Sequence, residues 1–168
     1  ILASISILSV YFDIKKLNHD LFSGFYIPKS RGTLINFKKA TKKLTIIDES
    51  YNSNPLSLKF ALERYDALYK KNDKKFLLIG DMLELGKYSK KLHIKIAKYI
   101  NKSKINKIYV YGEQTKHTFN KLKPQIRGRV VKNIMDIYKL IKNDLPNNCF
   151  LMVKGSNSTG LNKIIKNL

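Results

Sequence analysis

Short apolar runs recur along the chain at 44–47, 76–79, 107–111, 129–131 and 149–153. Each is followed by a polar or glycine-bearing turn and then by a stretch with helical spacing, at 55–70, 87–102, 115–122, 134–143 and 160–168. The run 76–79 is typical of a parallel strand buried on both faces. Strands that alternate with helices dictate an α/β fold. The expected architecture is a mostly parallel Rossmann-like sheet, with right-handed crossovers and helices on both faces. A further run at 33–37 is expected to pair with 44–47 as a hairpin, with 38–43 turning between them. The turns 48–55, 80–86, 112–115 and 154–158 all follow strands. They therefore meet at the carboxyl edge of the sheet, where open α/β sheets bind ligands.

The first of these turns is the richest in chemistry. Residues 48–55 read Asp-Glu-Ser-Tyr-Asn-Ser-Asn-Pro. Asn54 is a good N-cap, because its side-chain oxygen can accept from a free amide of the first helical turn. Pro55 suits the first helical position, where no amide hydrogen is needed. Two readings fit: a well-capped polar loop, or a ligand site built at the mouth of a helix. The turn 80–86 is not a Walker A loop, since five residues separate Gly80 from Gly86 and Tyr88 follows Lys87. Asp81 or Glu84 is expected to hold backbone amides there. Lys154-Gly155-Ser156 offers a cation, a flexible backbone and a hydroxyl at a strand end, suited to a carboxylate or a phosphate. His19, His93 and His117 share no ligand spacing. No metal site and no Ser-His-Asp set is expected.

The helices are expected to bury Leu58, Leu62, Tyr65 and Leu68 or Tyr69, then Leu92, Ile96, Ala97 and Ile100, then Ile134, Ile137, Tyr138 and Ile141. Residues 71–75 read as a charged turn. Upstream, 1–10 and 13–22 read as short helices and 24–32 as a connector, with a boundary near 27–32. The apolar start is too short to span a bilayer and lacks the basic flank of a secretory signal. It also lacks an initiator methionine, so the chain is read as a piece whose N-terminal part is missing. Cys149 stands alone in an apolar run and is expected to be buried and inert, in a reducing compartment.

Charge admits a competing class. Lys and Arg total 33 against 12 acidic residues, a net +21. Such a field attracts nucleic acid or phosphorylated ligands. Yet only Arg31, Arg64, Arg127 and Arg129 are arginines, and the lysines are spread along the whole chain. That pattern reads as compositional bias more than as a built patch. The alternative kept open is a free-standing basic α/β module for nucleic acid. A dinucleotide domain ranks last, because no G-x-G-x-x-G follows the first strand.

Taken in order, the stretches 48–55, 80–86 (Gly-Asp-Met-Leu-Glu-Leu-Gly) and 154–156 resemble the C-terminal part of the Mur ligases. The resemblance runs over 1–168. It implies that 1–30 are the end of a central ATP-binding domain with its linker, and 31–168 the C-terminal domain. It implies an ATP-dependent amide ligase, adding D-alanyl-D-alanine to UDP-N-acetylmuramoyl-tripeptide in peptidoglycan synthesis. Its cofactors would be ATP and Mg2+, bound mainly by the central domain. Arg31 and Glu49 would then lie on the nucleotide. Tyr51, Asn52, Asn54, Lys154, Gly155 and Ser156 would lie near the dipeptide. No catalytic residue and no metal ligand is carried over to this chain. The family's usual Arg and Met-Glu are replaced by Asn157 and by Leu161-Asn162, so no role is carried to those positions. The implied enzyme is a cytoplasmic monomer that binds neither membrane nor nucleic acid. No G-x4-G-K-[ST] occurs in the chain, so by itself it is expected to be inactive.

Overall fold

The computed structural model describes residues 2–16, 18, 20, 24, 28–68, 70 and 72–168, with side chains from residue 5 onward. The expectations for Ile1, Leu17, His19, Leu21, Phe22, Ile27, Tyr69 and Lys71 lie outside the described residues. The chain opens with α1 (Leu2–Tyr11) and a single 3-10 turn at Ile14–Lys16. Among the described residues, that turn is all that forms of the helix expected over 13–22. Ile7, Val10, Tyr11 and Phe12 are exposed.

Next come β1 (Thr33–Lys39), β2 (Lys42–Glu49), α2 (Pro55–Leu68), β3 (Lys75–Gly80), α3 (Ser89–Ile100) and β4 (Lys107–Tyr111). They are followed by α4 (Thr115–Phe119), β5 (Arg127–Val131), α5 (Ile134–Lys139), β6 (Cys149–Lys154) and α6 (Leu161–Lys166). A π-helical turn, Leu140–Asp144, continues α5. The six strands lie in the order β1-β2-β6-β3-β4-β5. β1 is antiparallel to β2 and the other pairs are parallel. The expected Rossmann-like α/β sheet is the one observed.

Alternation along the strands sorts the core into two layers. Ile46, Leu78, Leu151 and Val153 face one side, with Ile137, Leu140, Ile141 and Ile164. Ile47, Leu77, Ile79 and Met152 face the other, with Leu58, Leu62, Ile96 and Ile100. Each such side chain contributes about 1.5–3 kcal/mol by leaving water. α5 and α6 thus cover one face, and α2 and α3 cover the other. β6 enters between β2 and β3, and α6 leaves it on one face while α2 and α3 leave β2 and β3 on the other. That divergence opens a crevice at the carboxyl edge.

The structure departs from the sequence expectation where charge disguises strand or core. The hairpin reverses at Ala40 and Thr41 alone, with Ala40 at φ 50, and Lys38–Lys43 and Lys39–Lys42 are paired across it. A two-residue connection lets the ladder run to its end. Lys75 is not in a turn. It opens β3, fully buried, with its ammonium 3.3 Å from Asp66 Oδ1. Leu68 is exposed because α2 ends there, and Ile134 is exposed at the start of α5. On α3 the buried position beside Ile96 is His93, while Leu92 is half-buried.

Candidate functional site

Glu49 and Lys154 are lateral neighbours, the last residues of the parallel strands β2 and β6. Strand parity sends both to the face covered by α2, above Ile47 and Met152. Beyond them, 51–54 lead into α2. Asn54 Oδ1 accepts from the Ser57 amide at 2.8 Å, and Ser57 Oγ accepts from the Asn54 amide at 3.0 Å. This reciprocal cap fixes the helix start with Pro55 in its first turn. Around these groups lies a cleft of about 290 Å3, lined by Ser30, Arg31, Glu49, Tyr51, Asn52, Asn54, Ser57 and Lys154. Six of the residues expected to touch ligand therefore share one cleft: Arg31, Glu49, Tyr51, Asn52, Asn54 and Lys154.

Its electrostatics centre on Lys154, whose side chain is 3% exposed. The ammonium donates to the Asn52 carbonyl at 2.9 Å and stands 3.9 Å from Glu49 Oε2. Burial pulls its pKa below the ordinary lysine value, and the Glu49 carboxylate pulls it partly back up. An ammonium has three protons to donate, and the longer contact to Glu49 lies beyond hydrogen-bond range. The group is thus a desolvated cation at the wall of a cleft, suited to an anionic ligand. At the same cleft, the Arg31 guanidinium lies 4.4 Å above the centre of the Tyr51 ring. Such stacking steadies an arginine while leaving its N–H groups free to bind.

Gly155 and Ser156 do another task. Gly155 packs against Leu161, Thr159 and the Gly80 backbone, where a side chain would press on Leu161. Ser156 Oγ accepts from the Leu83 amide at 2.9 Å, and its own amide donates to the Asp81 carbonyl at 3.2 Å. These contacts tie the loop after β6 to the loop after β3. Within that second loop, Asp81 accepts from the amides of Glu113, Gln114 and Thr115 at 3.1, 3.3 and 2.8 Å. It caps α4 from a neighbouring strand, as expected of a loop acid that holds amides. Gly112, at φ 120, leaves room for that carboxylate. His93 is fully buried; Nδ1 donates to the Ser89 carbonyl at 2.9 Å, so Nε2 accepts from the Met82 amide at 3.0 Å. Burial pushes its pKa down and keeps the ring neutral, while the Ser89 carbonyl opposes that shift. Burial likewise raises the Cys149 thiol to about 11, which fits an inert core cysteine.

Two residues that sequence reasoning passed over, Ser30 and Asp48, meet beside the cleft. Asp48 is buried; its Oδ2 accepts from Ser30 Oγ at 2.7 Å and its Oδ1 from the Ser50 amide at 3.1 Å. An acid at a strand end with a serine two places on is the signal for such a turn. Among the described residues, no group of three or more His, Cys, Asp or Glu side chains is placed to hold a metal ion. No helix among the described residues is long and apolar enough to cross a membrane.

Against this geometry the comparisons are consistent. The family model described as "Mur ligase, glutamate ligase domain" matches residues 35–157. The UDP-N-acetylmuramoyl-tripeptide–D-alanyl-D-alanine ligase of Rickettsia prowazekii is 32% identical over 139 residues, covering 83% of this chain and 30% of that protein. The enzyme of the same name from Bacillus subtilis is 29% identical over 143 residues, covering 83% and 31%. The chain thus spans about 30% of the length of these relatives. Among solved structures, MurF ligase from Thermotoga maritima in complex with ADP superposes with a TM-score of 0.69 at 18% identity, over 98% of this chain and 35% of that one. MurF from Acinetobacter baumannii gives 0.70 at 21% identity, over 96% and 34%. At such identities the structures speak for the fold. The nucleic-acid reading finds no support in these matches.

Proposed function

Because this chain belongs to the Mur ligase family, we propose that it is the C-terminal closing part of an ATP-dependent ligase that joins D-alanyl-D-alanine to UDP-N-acetylmuramoyl-tripeptide. Residues 1–30 would be the end of the central domain with its linker, and 31–168 the closing domain. One observation carries the reading. A chain of this family gathers Arg31, Glu49, Tyr51, Asn52, Asn54 and Lys154 around one cleft at the carboxyl ends of β2 and β6.

The reaction makes an amide at the expense of ATP. The tripeptide's terminal carboxylate attacks the γ-phosphorus of ATP, ADP leaves, and an acyl phosphate forms. The dipeptide's amine attacks the acyl carbon, phosphate leaves, and the amine gives up a proton. Most of the catalysis of such transfers is positioning and charge neutralisation. In this reading Arg31 meets nucleotide phosphate from its seat on Tyr51. Glu49 accepts from ribose hydroxyls. Lys154 meets the carboxylate of the dipeptide, and the 51–54 turn walls that side. Gly155 and Ser156 shape the wall by joining two loops. Closure of this part over the site would exclude water and align the reactants. The phosphate loop and the Mg2+ ligands would lie in the rest of the ligase, which would work as a cytoplasmic monomer.

The test has two arms. The 168-residue chain alone, incubated with ATP, Mg2+, UDP-N-acetylmuramoyl-tripeptide and D-alanyl-D-alanine, releases no phosphate; turnover by it overturns the division of labour. The intact protein releases phosphate only when both UDP-N-acetylmuramoyl-tripeptide and D-alanyl-D-alanine are present. Release that ignores the dipeptide overturns the substrate assignment.

A further inference from the structure

Ser30 is a buried serine between two exposed cations, Lys29 and Arg31. Its φ is 63, in the left-handed region that a serine rarely adopts. A backbone held there needs over-determining contacts, and the structure supplies them. Ser30 Oγ donates to Asp48 Oδ2 at 2.7 Å. The Ser30 carbonyl accepts from the Tyr51 amide at 3.2 Å. The Gly32 amide donates to the Asp48 carbonyl at 2.8 Å. The carboxylate is itself fixed, because the Ser50 amide and hydroxyl both donate to Oδ1.

These bonds straddle Arg31: one set holds the residue before it, the other the residue after it. The left-handed turn sends the Ser30 side chain inward to Asp48 and leaves Arg31 exposed. Its guanidinium then lies over Tyr51, whose amide is held by the same Ser30. Serine, arginine, tyrosine and aspartate thus form a closed circuit at the rim of the cleft.

We propose that Ser30 and Asp48 form a latch that clamps the connector to the end of β2 and so positions Arg31 over the cleft. They are positioning residues: they act through the arginine, and Arg31 meets the anion. A connector without the latch keeps its charge and loses its address. The cost falls on binding, because an arginine that is not held must be ordered each time the ligand arrives.

The first arm of the test uses the 168-residue chain and needs no ligand. In Ser30→Ala, amide exchange at Gly32 and Tyr51 rises about tenfold or more, while the amides of β3 and β4 keep their protection. Asp48→Asn retains one acceptor oxygen for two groups of donors, and gives a smaller rise at the same two amides. Unchanged exchange at Gly32 and Tyr51 overturns the latch.

The second arm rests on the ligase reading above and uses the intact enzyme. Ser30→Ala raises the KM for ATP about tenfold, with kcat within about twofold of the parent. In an Arg31→Ala background the same change adds nothing, because residues acting as one unit are not additive. An equal effect of Ser30→Ala in both backgrounds overturns the positioning role, since a merely structural serine would cost the same with or without the arginine. Should Arg31→Ala alone leave the KM for ATP unchanged, the nucleotide role of Arg31 fails, and the exchange arm still decides the latch.

Discussion

Lys75 and Lys154 are buried lysines on adjacent strands of one sheet, at opposite ends. Lys75 opens β3 at the amino edge, 1% exposed, with Asp66 at 3.3 Å. The same carboxylate takes the Lys104 amide at 2.9 and 3.1 Å, so the acid is held in place against the ammonium. Lys154 closes β6 at the carboxyl edge, as deeply buried, but its carboxylate stands off at 3.9 Å and a cleft opens beside it. Burial alone therefore does not mark a site. What separates the two is whether the local partners use up the charge. At Lys75 they do, and the pair ties α2 to β3. At Lys154 they do not, and the remaining capacity faces an opening.

The contrast breaks first at the structural end. Lys75→Ala leaves the Asp66 carboxylate without its cation beside a buried strand start, and is expected to cost about 3 kcal/mol of unfolding free energy. Urea denaturation of the chain measures it; a loss under about 1 kcal/mol would mean the pair is ornamental. Next, Lys154→Met replaces a desolvated ammonium by an apolar side chain of similar length. Stability should hold within about 1 kcal/mol or rise, while the intact ligase loses about tenfold or more in kcat/KM for the dipeptide. A variant that is both destabilised and active would make Lys154 a second Lys75.

The smallest effect sharpens the same comparison by pH. The folded-state pKa of Lys154 lies below its ordinary 10.5 because of burial. Between the two values the unfolded chain binds the extra proton, so stability contributed by this group rises as pH climbs through that window toward 10.5. Lys154→Met should flatten that part of the slope. Glu49→Gln should widen the window, since the carboxylate is the group that raises the pKa. Denaturation midpoints compared across alkaline pH for the three proteins check this. Parallel slopes would show that Lys154 titrates as if in water.

The fold was legible because apolar runs and helical spacing are local signals. β4 was read to its ends, and the turns at the carboxyl edge were placed on one rim. Two kinds of feature were not legible. Lysine counts as a turn residue in a local reading, so the paired lysines of the hairpin and the buried Lys75 were assigned to turns; their partners, across the ladder or on α2, lie at positions no local window relates. Strand order is the other: nothing local says that β6 is inserted beside β2. That insertion puts Lys154 next to Glu49, at the wall of the cleft. Among the site residues, those with distinctive chemistry were found. Ser30 and Asp48 were missed because their contribution is a bond across 18 residues. Gly155 and Ser156 belong to the same short motif as Lys154, yet they lie beyond the end of β6, where Ser156 bonds to the loop after β3.

The position of β6 also bears on how the molecule is made. It is the last strand in the chain and the middle of the sheet. Until it is in place, the hairpin of β1 and β2 and the ladder of β3, β4 and β5 present open edges with no hydrogen-bonded neighbour between them. Joining them is a long-range event of the kind that slows folding and exposes intermediates to aggregation. A nascent chain emerging from the ribosome would carry two half-sheets waiting for one segment. A polypeptide cut short before Cys149 should therefore be recognised by quality control as unfinished, with both half-sheets open-edged and the cleft without its buried cation.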